Sequence, residues 1–207
     1  MRNLQFSHRE TKENCRFLGS KDPRNDKVLV VLTFKGDGRC YISRMTETDQ
    51  ISEELKLAFE GEPWHGPSLM EILDGVDAKT AVARPIPAAH SIWELALHIA
   101  AWEWAIRTRI VEGRALELSD EKNFPQITDA REDAWRKAIG ELRKNHAELI
   151  KTVSELSEKQ LSKQVPGKDY DVRFMLHGAA QHAAYHGGQI ALLKKHSALS
   201  IQPGHKQ

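Results

Sequence analysis

The chain has 207 residues, 40% hydrophobic and 29% charged, enough for one core of ordinary domain size plus an appendage. Lys plus Arg number 30 against 29 for Asp plus Glu, a formal net charge of +1, which speaks against an electrostatic nucleic-acid binder. No apolar run nears the roughly 18–20 residues of a membrane span, residues 1–10 lack the apolar segment of a secretory signal, and two cysteines (Cys15 and Cys40) make no disulfide framework, so a reducing, cytoplasmic setting is expected.

The charge balance turns near residue 45. Residues 1–44 hold 10 Lys/Arg and 5 Asp/Glu, residues 45–207 hold 20 and 24, and all five tryptophans lie after residue 63. In the first segment, apolar residues 28–34 are followed by Lys-Gly-Asp-Gly and then residues 39–44, which reads as a β-hairpin with a glycine-rich turn. Two strands alone are marginal in water, so the hairpin must dock on something or stay frayed. Two readings stay open for residues 1–44: a native N-terminal extension, or a stretch upstream of a natural start at Met45.

After Met45 the pattern is helical. Residues 52–60 predict a short helix broken by Gly61 and Pro63, and a second piece runs from Pro67 to Gly75, proline first and glycine last. Ser91-Ile-Trp-Glu94 is a capping box that opens a helix running to Glu112 and stopping at Gly113. Residues 130–156 place Trp135, Ile139, Leu142, Leu149, Val153 and Leu156 on one stripe. Ser157-Glu-Lys-Gln160 caps a short turn, Pro166-Gly167 marks a loop, and residues 173–195 form the last long helix. The fold class expected is all-α: an antiparallel four-helix bundle over residues 45–196, with a polar tail over 197–207 expected to be mobile.

Ten histidines are the unusual feature of the composition. His182 and His186, four apart in the last helix, share one face, which suits two ligands of one metal ion. Spacing alone is weak evidence, since roughly half of one such pair is expected by chance from this composition. The alternative is a pair of solvated or core histidines. His98 sits in Leu95-Ala-Leu-His-Ile-Ala-Ala-Trp102, apolar on almost every side, so it is expected to be buried. Three imidazoles with one open position is a known catalytic metal arrangement.

Residues Phe59-Glu-Gly-Glu-Pro-Trp-His-Gly-Pro-Ser-Leu69, Ser91-Ile-Trp-Glu-Leu-Ala-Leu-His-Ile-Ala100 and His182-Ala-Ala-Tyr-His-Gly-Gly-Gln-Ile190 resemble the DinB-like (DinB/YfiT) superfamily of metal-dependent enzymes over about residues 50–196. The resemblance implies an up-down-down-up four-helix bundle, one divalent metal ion per chain (nickel or zinc) on His98, His182 and His186, and a homodimer. Some relatives carry Arg after the last histidine, where this chain has Gly187. A role for that arginine does not transfer.

Other residues divide between structure and chemistry. The His-Glu-x-x-His pattern of zinc proteases is absent, because alanine follows His182. Glu94, one turn before His98, is a candidate base, although its place in the capping box already accounts for it. Gln189, one turn beyond His186, is a candidate for orienting a ligand, against a plain polar residue at the bundle rim. His146, on the stripe of the third helix, is a candidate fourth ligand or pocket-lining residue, and His65, before a helix start, is a candidate to line the pocket, with core and capping roles as the alternatives. Trp102, one turn after His98, reads as core rather than as a stacking platform.

The leading expectation is a metal-dependent enzyme acting on a small molecule. By the resemblance, the chemistry is thiol-dependent S-transfer or isomerisation with a low-molecular-weight thiol. The alternative is a non-catalytic, stress- or damage-related bundle with a structural metal. Neither nucleic acid nor membrane is expected as a partner; the −4 balance of residues 45–207 argues against DNA.

Overall fold

In the computed structural model the backbone is described for residues 15–22, 25–34 and 40–200, and side chains for residues 45–197. The chain divides into two units, Met1–Glu47 and Thr48–Gln207.

The first unit holds β1 (Cys15–Asp22), β2 (Asn25–Phe34) and β3 (Cys40–Arg44), joined in the order β1-β2-β3. Both pairings are antiparallel, with Leu18 opposite Val30 and Leu32 opposite Ile42. The expected hairpin is thus β2 with β3, and its turn lies outside the described residues. Strand β1 was not anticipated: Gly19 and Ser20 dilute its β signal. A third strand also answers the marginality of two strands alone.

The second unit is all helical: α1 (Glu47–Glu60), α2 (Leu69–Leu73), α3 (Ala78–Val82), α4 (Ile92–Glu112), α5 (Asp120–Asn123), α6 (Glu132–Ser154), α7 (Glu158–Leu161) and α8 (Val172–Ser200). The sequence places α4 well because both ends carry local signals. Ser91 accepts a hydrogen bond from the Glu94 N–H at 3.2 Å, and the Glu94 carboxylate accepts one from the Ser91 N–H at 2.7 Å. At the far end Gly113 takes φ +60°, a left-handed conformation that closes the helix. Helix α1 begins five residues before the predicted 52, and α8 continues to Ser200, past the expected start of the polar tail at 197. The rest of that tail, residues 201–207, lies outside the described residues. The short helices α3 and α5 carry too few residues for a periodic signal.

Pairs of contacts fix the directions of the four long helices. His98 faces His182 while Arg109 faces Met175, so α4 and α8 run antiparallel. Trp93 packs on Trp135, and Asn145 donates to the Ala100 carbonyl, so α4 and α6 run the same way. Glu60 meets Arg143 and Phe59 stacks on His146, while Ile51 and Leu55 cluster with Leu149 and Val153. Helix α1 is therefore antiparallel to α6.

Two apolar clusters hold these helices together. One gathers Trp93, Ile99, Trp135, Leu142 and Ile190; the other gathers Leu55, Leu149, Leu161 and Leu176. Fully burying a side chain of this size stabilises by about 1.5–3 kcal/mol, so these clusters outweigh any single cap. The Trp135 indole N–H, which would be costly to bury alone, donates to the Val76 carbonyl at 2.7 Å.

Candidate metal centre

Helix periodicity sets the site. His182 and His186 lie four apart on α8, and the antiparallel contact with α4 brings His98 to them across 84 residues of sequence. Their ring centroids lie 4.4 Å apart for His182 and His186, 4.7 Å for His98 and His186, and 4.9 Å for His98 and His182. One ring nitrogen from each lies within 4.8 Å of the other two. His98 and His186 are buried and His182 is half-buried.

Each ring is held by a different device. The His98 Nδ1–H donates to the backbone carbonyl of Asn123 at 3.0 Å, and Phe124 stacks on the ring at 4.3 Å, 6° from parallel. Because a carbonyl only accepts, this bond leaves the His98 Nε2 lone pair free to point inward. The His186 Nδ1–H donates to Gln189 Oε1 at 2.7 Å, which aims its Nε2 in the same way. The Nε2 atoms of His98 and His182 are 3.0 Å apart. His182 meets its neighbour there either as an N–H donor or, with its proton on Nδ1, as a second lone pair facing a cation.

Electrostatics favour the neutral form throughout. Burial, then the neighbouring His186 and His98, push His182 down to about 3 from 6.5. Burial likewise lowers His98 and His186, more than their hydrogen bonds to Asn123 and Gln189 raise them. Three neutral imidazoles with converging nitrogens, two of them with the tautomer set by an Nδ1–H bond, are the donor set a borderline divalent ion takes. The residues present therefore fit a metal ion.

Beside the trio lies a cavity of about 370 Å³ between α4 and α8, with His98 and His182 at one end and Trp102, Phe174 and Met175 in its walls. Trp102 was read from sequence as core; it also faces this cavity, and its indole N–H donates to Asn123 Oδ1 at 2.9 Å. Asn123 thus ties both His98 and Trp102 to the end of α5.

The remaining candidates are placed as follows. Gln189 sits against His186, as just described. The Glu94 oxygens are engaged by Ser91 and by an ion pair with Arg84, and make no hydrogen bond to His98. Burial acts to raise the Glu94 carboxyl, yet the Ser91 hydrogen bonds and the charges of Arg84 and His90 bring it below its ordinary value. His146 is not brought to the trio: its Nδ1–H donates to Glu103 Oε1 at 2.8 Å, both side chains are buried, and Phe59 stacks on the ring at 3.7 Å. Burial pushes the Glu103 carboxyl up, against the opposing pull of His146. His65 is exposed and lines a different hollow, against Ala184 and Gly187. A Cβ on Gly187 would meet Ile72 Cδ1 at 3.4 Å, so this position faces α2.

Asn123 and Phe124 were missed by the sequence reading. Asn123 acts on His98 through its backbone, which no residue type announces. A weak hint lies in Ser119-Asp-Glu-Lys-Asn123, whose serine N-cap position marks a helix start.

Comparison with known proteins agrees with this architecture. The family profile of the DinB superfamily matches residues 64–190. The crystal structure described as "the conserved protein of locus from Enterococcus faecalis" is 21% identical, with a TM-score of 0.53 over 73% of this chain and 97% of that one, a likeness of fold. No curated protein matches the chain.

Proposed function

Because the chain belongs to the DinB superfamily, we propose that it is a metal-dependent enzyme acting on a small molecule, with one divalent ion, nickel or zinc, held by His98, His182 and His186. The observation that carries this reading is the convergence of three neutral imidazoles, two of which, His98 and His182, line a cavity of about 370 Å³. A bound ion supplies Lewis acidity, which lowers the pKa of a thiol or water and polarises an acceptor.

The chain's own residues supply the rest. The Asn123 backbone carbonyl and Gln189 Oε1 accept hydrogen bonds from the Nδ1–H groups of His98 and His186 and so hold the Nε2 atoms toward the site. In His182, offering a ligand lone pair from Nε2 requires only that its proton sit on Nδ1; no ionisation is involved. Trp102, Ile106 and Met175 give the cavity apolar walls on which the body of a substrate packs. The family resemblance favours a low-molecular-weight thiol as co-substrate, in S-transfer or isomerisation, and a second copy of the chain as partner.

A structural metal is the second reading, favoured by one observation: the three ligands come from α4 and α8, so an ion would cross-link two core helices. Both readings are tested by elemental analysis of untagged protein purified without added metal, beside the triple variant His98→Ala/His182→Ala/His186→Ala. About one ion per chain is expected, lost in the variant while helical circular dichroism persists. Absence of metal from the wild type even after reloading would remove the metal centre. A chelator that melts the wild type would favour the structural role; one that strips the ion and leaves the fold favours the enzyme.

A further inference from the structure

The end of the cavity away from the histidines carries a buried cation. Arg109 stands eleven residues after His98 on α4, three helical turns and about 16 Å along the axis, on nearly the same face. Met175 faces it from α8, as His182 faces His98. The Arg109 side chain is 2% exposed, yet it lines the cavity.

Its hydrogen bonds leave part of the guanidinium unused. Nε and Nη2 both donate to the Leu116 carbonyl, at 3.0 and 2.6 Å, which fixes the plane of the group. Among the described residues Nη1, with two N–H donors, has as hydrogen-bond partner only the Met175 thioether at 4.0 Å, a weak acceptor on a flexible side chain, while the guanidinium carbon stands 5.4 Å from the centre of the Trp102 ring. The carboxylate recorded near Arg109 is that of Glu117, at 3.9 Å from Nη2; it is largely exposed and is drawn off by Lys168 at 2.6 Å. Burying a cation without a full set of acceptors is costly, so a site that keeps one facing a cavity is prepared for an anion.

We propose that this cavity takes a small organic carboxylate with an apolar body. Its carboxylate pairs with Nη1 of Arg109, its body packs on Trp102, Ile106 and Phe174, and its far end lies at His98 and His182. This deepens the proposed function and rests on the cavity being the substrate pocket. A single guanidinium suits one negative charge; a phosphate dianion would leave charge uncompensated in an apolar pocket. The volume falls at the small end of the range for small-molecule pockets, about 300–1,000 Å³. Arg109 is then a specificity residue: it selects for the acid and takes no part in bond making.

The test uses the full chain stripped of metal, so that no ion competes for the carboxylate. Calorimetric titration compares 4-phenylbutyrate with 4-phenylbutanamide, which share a body and differ in charge. The acid is expected to bind about tenfold tighter than the amide, as one charge-assisted pair allows. Arg109→Met should erase that preference and leave the amide's affinity as it was. Gly178→Leu, on the cavity wall, should weaken both ligands; a Cβ there meets nothing within 4 Å, and Arg109 keeps its bonds.

Equal binding of acid and amide, binding of neither, or a preference that survives Arg109→Met would overturn the proposal. If Arg109→Met fails to fold, Gly178→Leu decides, and undiminished binding of the acid in that variant overturns it. Elemental analysis keeps the two readings apart. Metal present with no acid preference sinks this inference alone, whereas acid preference in a chain that never takes metal sinks the metal centre alone.

Discussion

A neutral imidazole offers a lone pair to a cation and a protonated one repels it, so the environment that sets three protonation states decides what the cluster can hold. Burial makes the larger contribution at His98, His182 and His186, and their mutual repulsion adds to it at His98 and His182. The same environment has a consequence for stability. The folded His182 titrates at about 3, against 6.5 for the ordinary side chain. As pH falls below 6.5 the unfolded chain takes up a proton that the folded chain refuses, so unfolding is favoured. Above 6.5 the group contributes nothing, and the loss grows until about pH 3, below which both forms are protonated. Each proton costs about 1.4 kcal/mol per pH unit, so metal-free protein should lose about 2 kcal/mol through His182 between pH 7 and pH 5. Urea unfolding at the two pH values checks this, with His182→Ala expected to show the smaller drop. An equal drop in the variant would mean that His182 is solvated in the metal-free chain.

Positioning belongs to the elements, and α4 does most of it. Its capping box and its left-handed Gly113 fix where the helix begins and ends, and hence which face carries His98, Trp102, Ile106 and Arg109 toward α8. Those caps were legible because capping is local: Ser91, Glu94 and Gly113 announce themselves in the sequence. Helix α5 was not legible. It has four residues and no buried side chain, and its service to His98 is a backbone carbonyl. The role of Gly187 also needed the fold, since only the packing of α2 shows that a side chain there would press on Ile72. Ser91→Ala should therefore destabilise the helical unit by about 1 kcal/mol, the usual cost of a lost cap. The change is read as a lower urea midpoint at unchanged slope, with metal content unaltered in the folded protein. A loss of metal stoichiometry instead would mean that the start of α4 sets the position of His98 more strictly than one cap bond implies.

Across the whole molecule, the helical period showed His182 and His186 as a pair, but nothing in spacing could bring His98 to them from 84 residues away. His98 entered as a third candidate from its apolar, buried setting, the family resemblance named it a ligand, and the geometry of α4 against α8 gives the physical basis. His146 shows the limit from the other side: its place on the apolar stripe of α6 was visible, while its partner Glu103, on another helix, was not. Charge marked a change near residue 45, and contacts divide the chain at 47/48. Both apolar clusters, the three histidines, Asn123, Gln189 and Arg109 all belong to Thr48–Gln207, and α1 starts at Glu47. A chain beginning at Met45 keeps every one of these groups and cuts no helix. It should give the circular dichroism of the intact helical unit, unfold cooperatively in urea, and match the full chain in metal bound per mole. A fragment that fails to fold would show that the strand unit supplies stability to the helices. One that folds but loses the ion would show that residues before Met45 contribute to the centre itself.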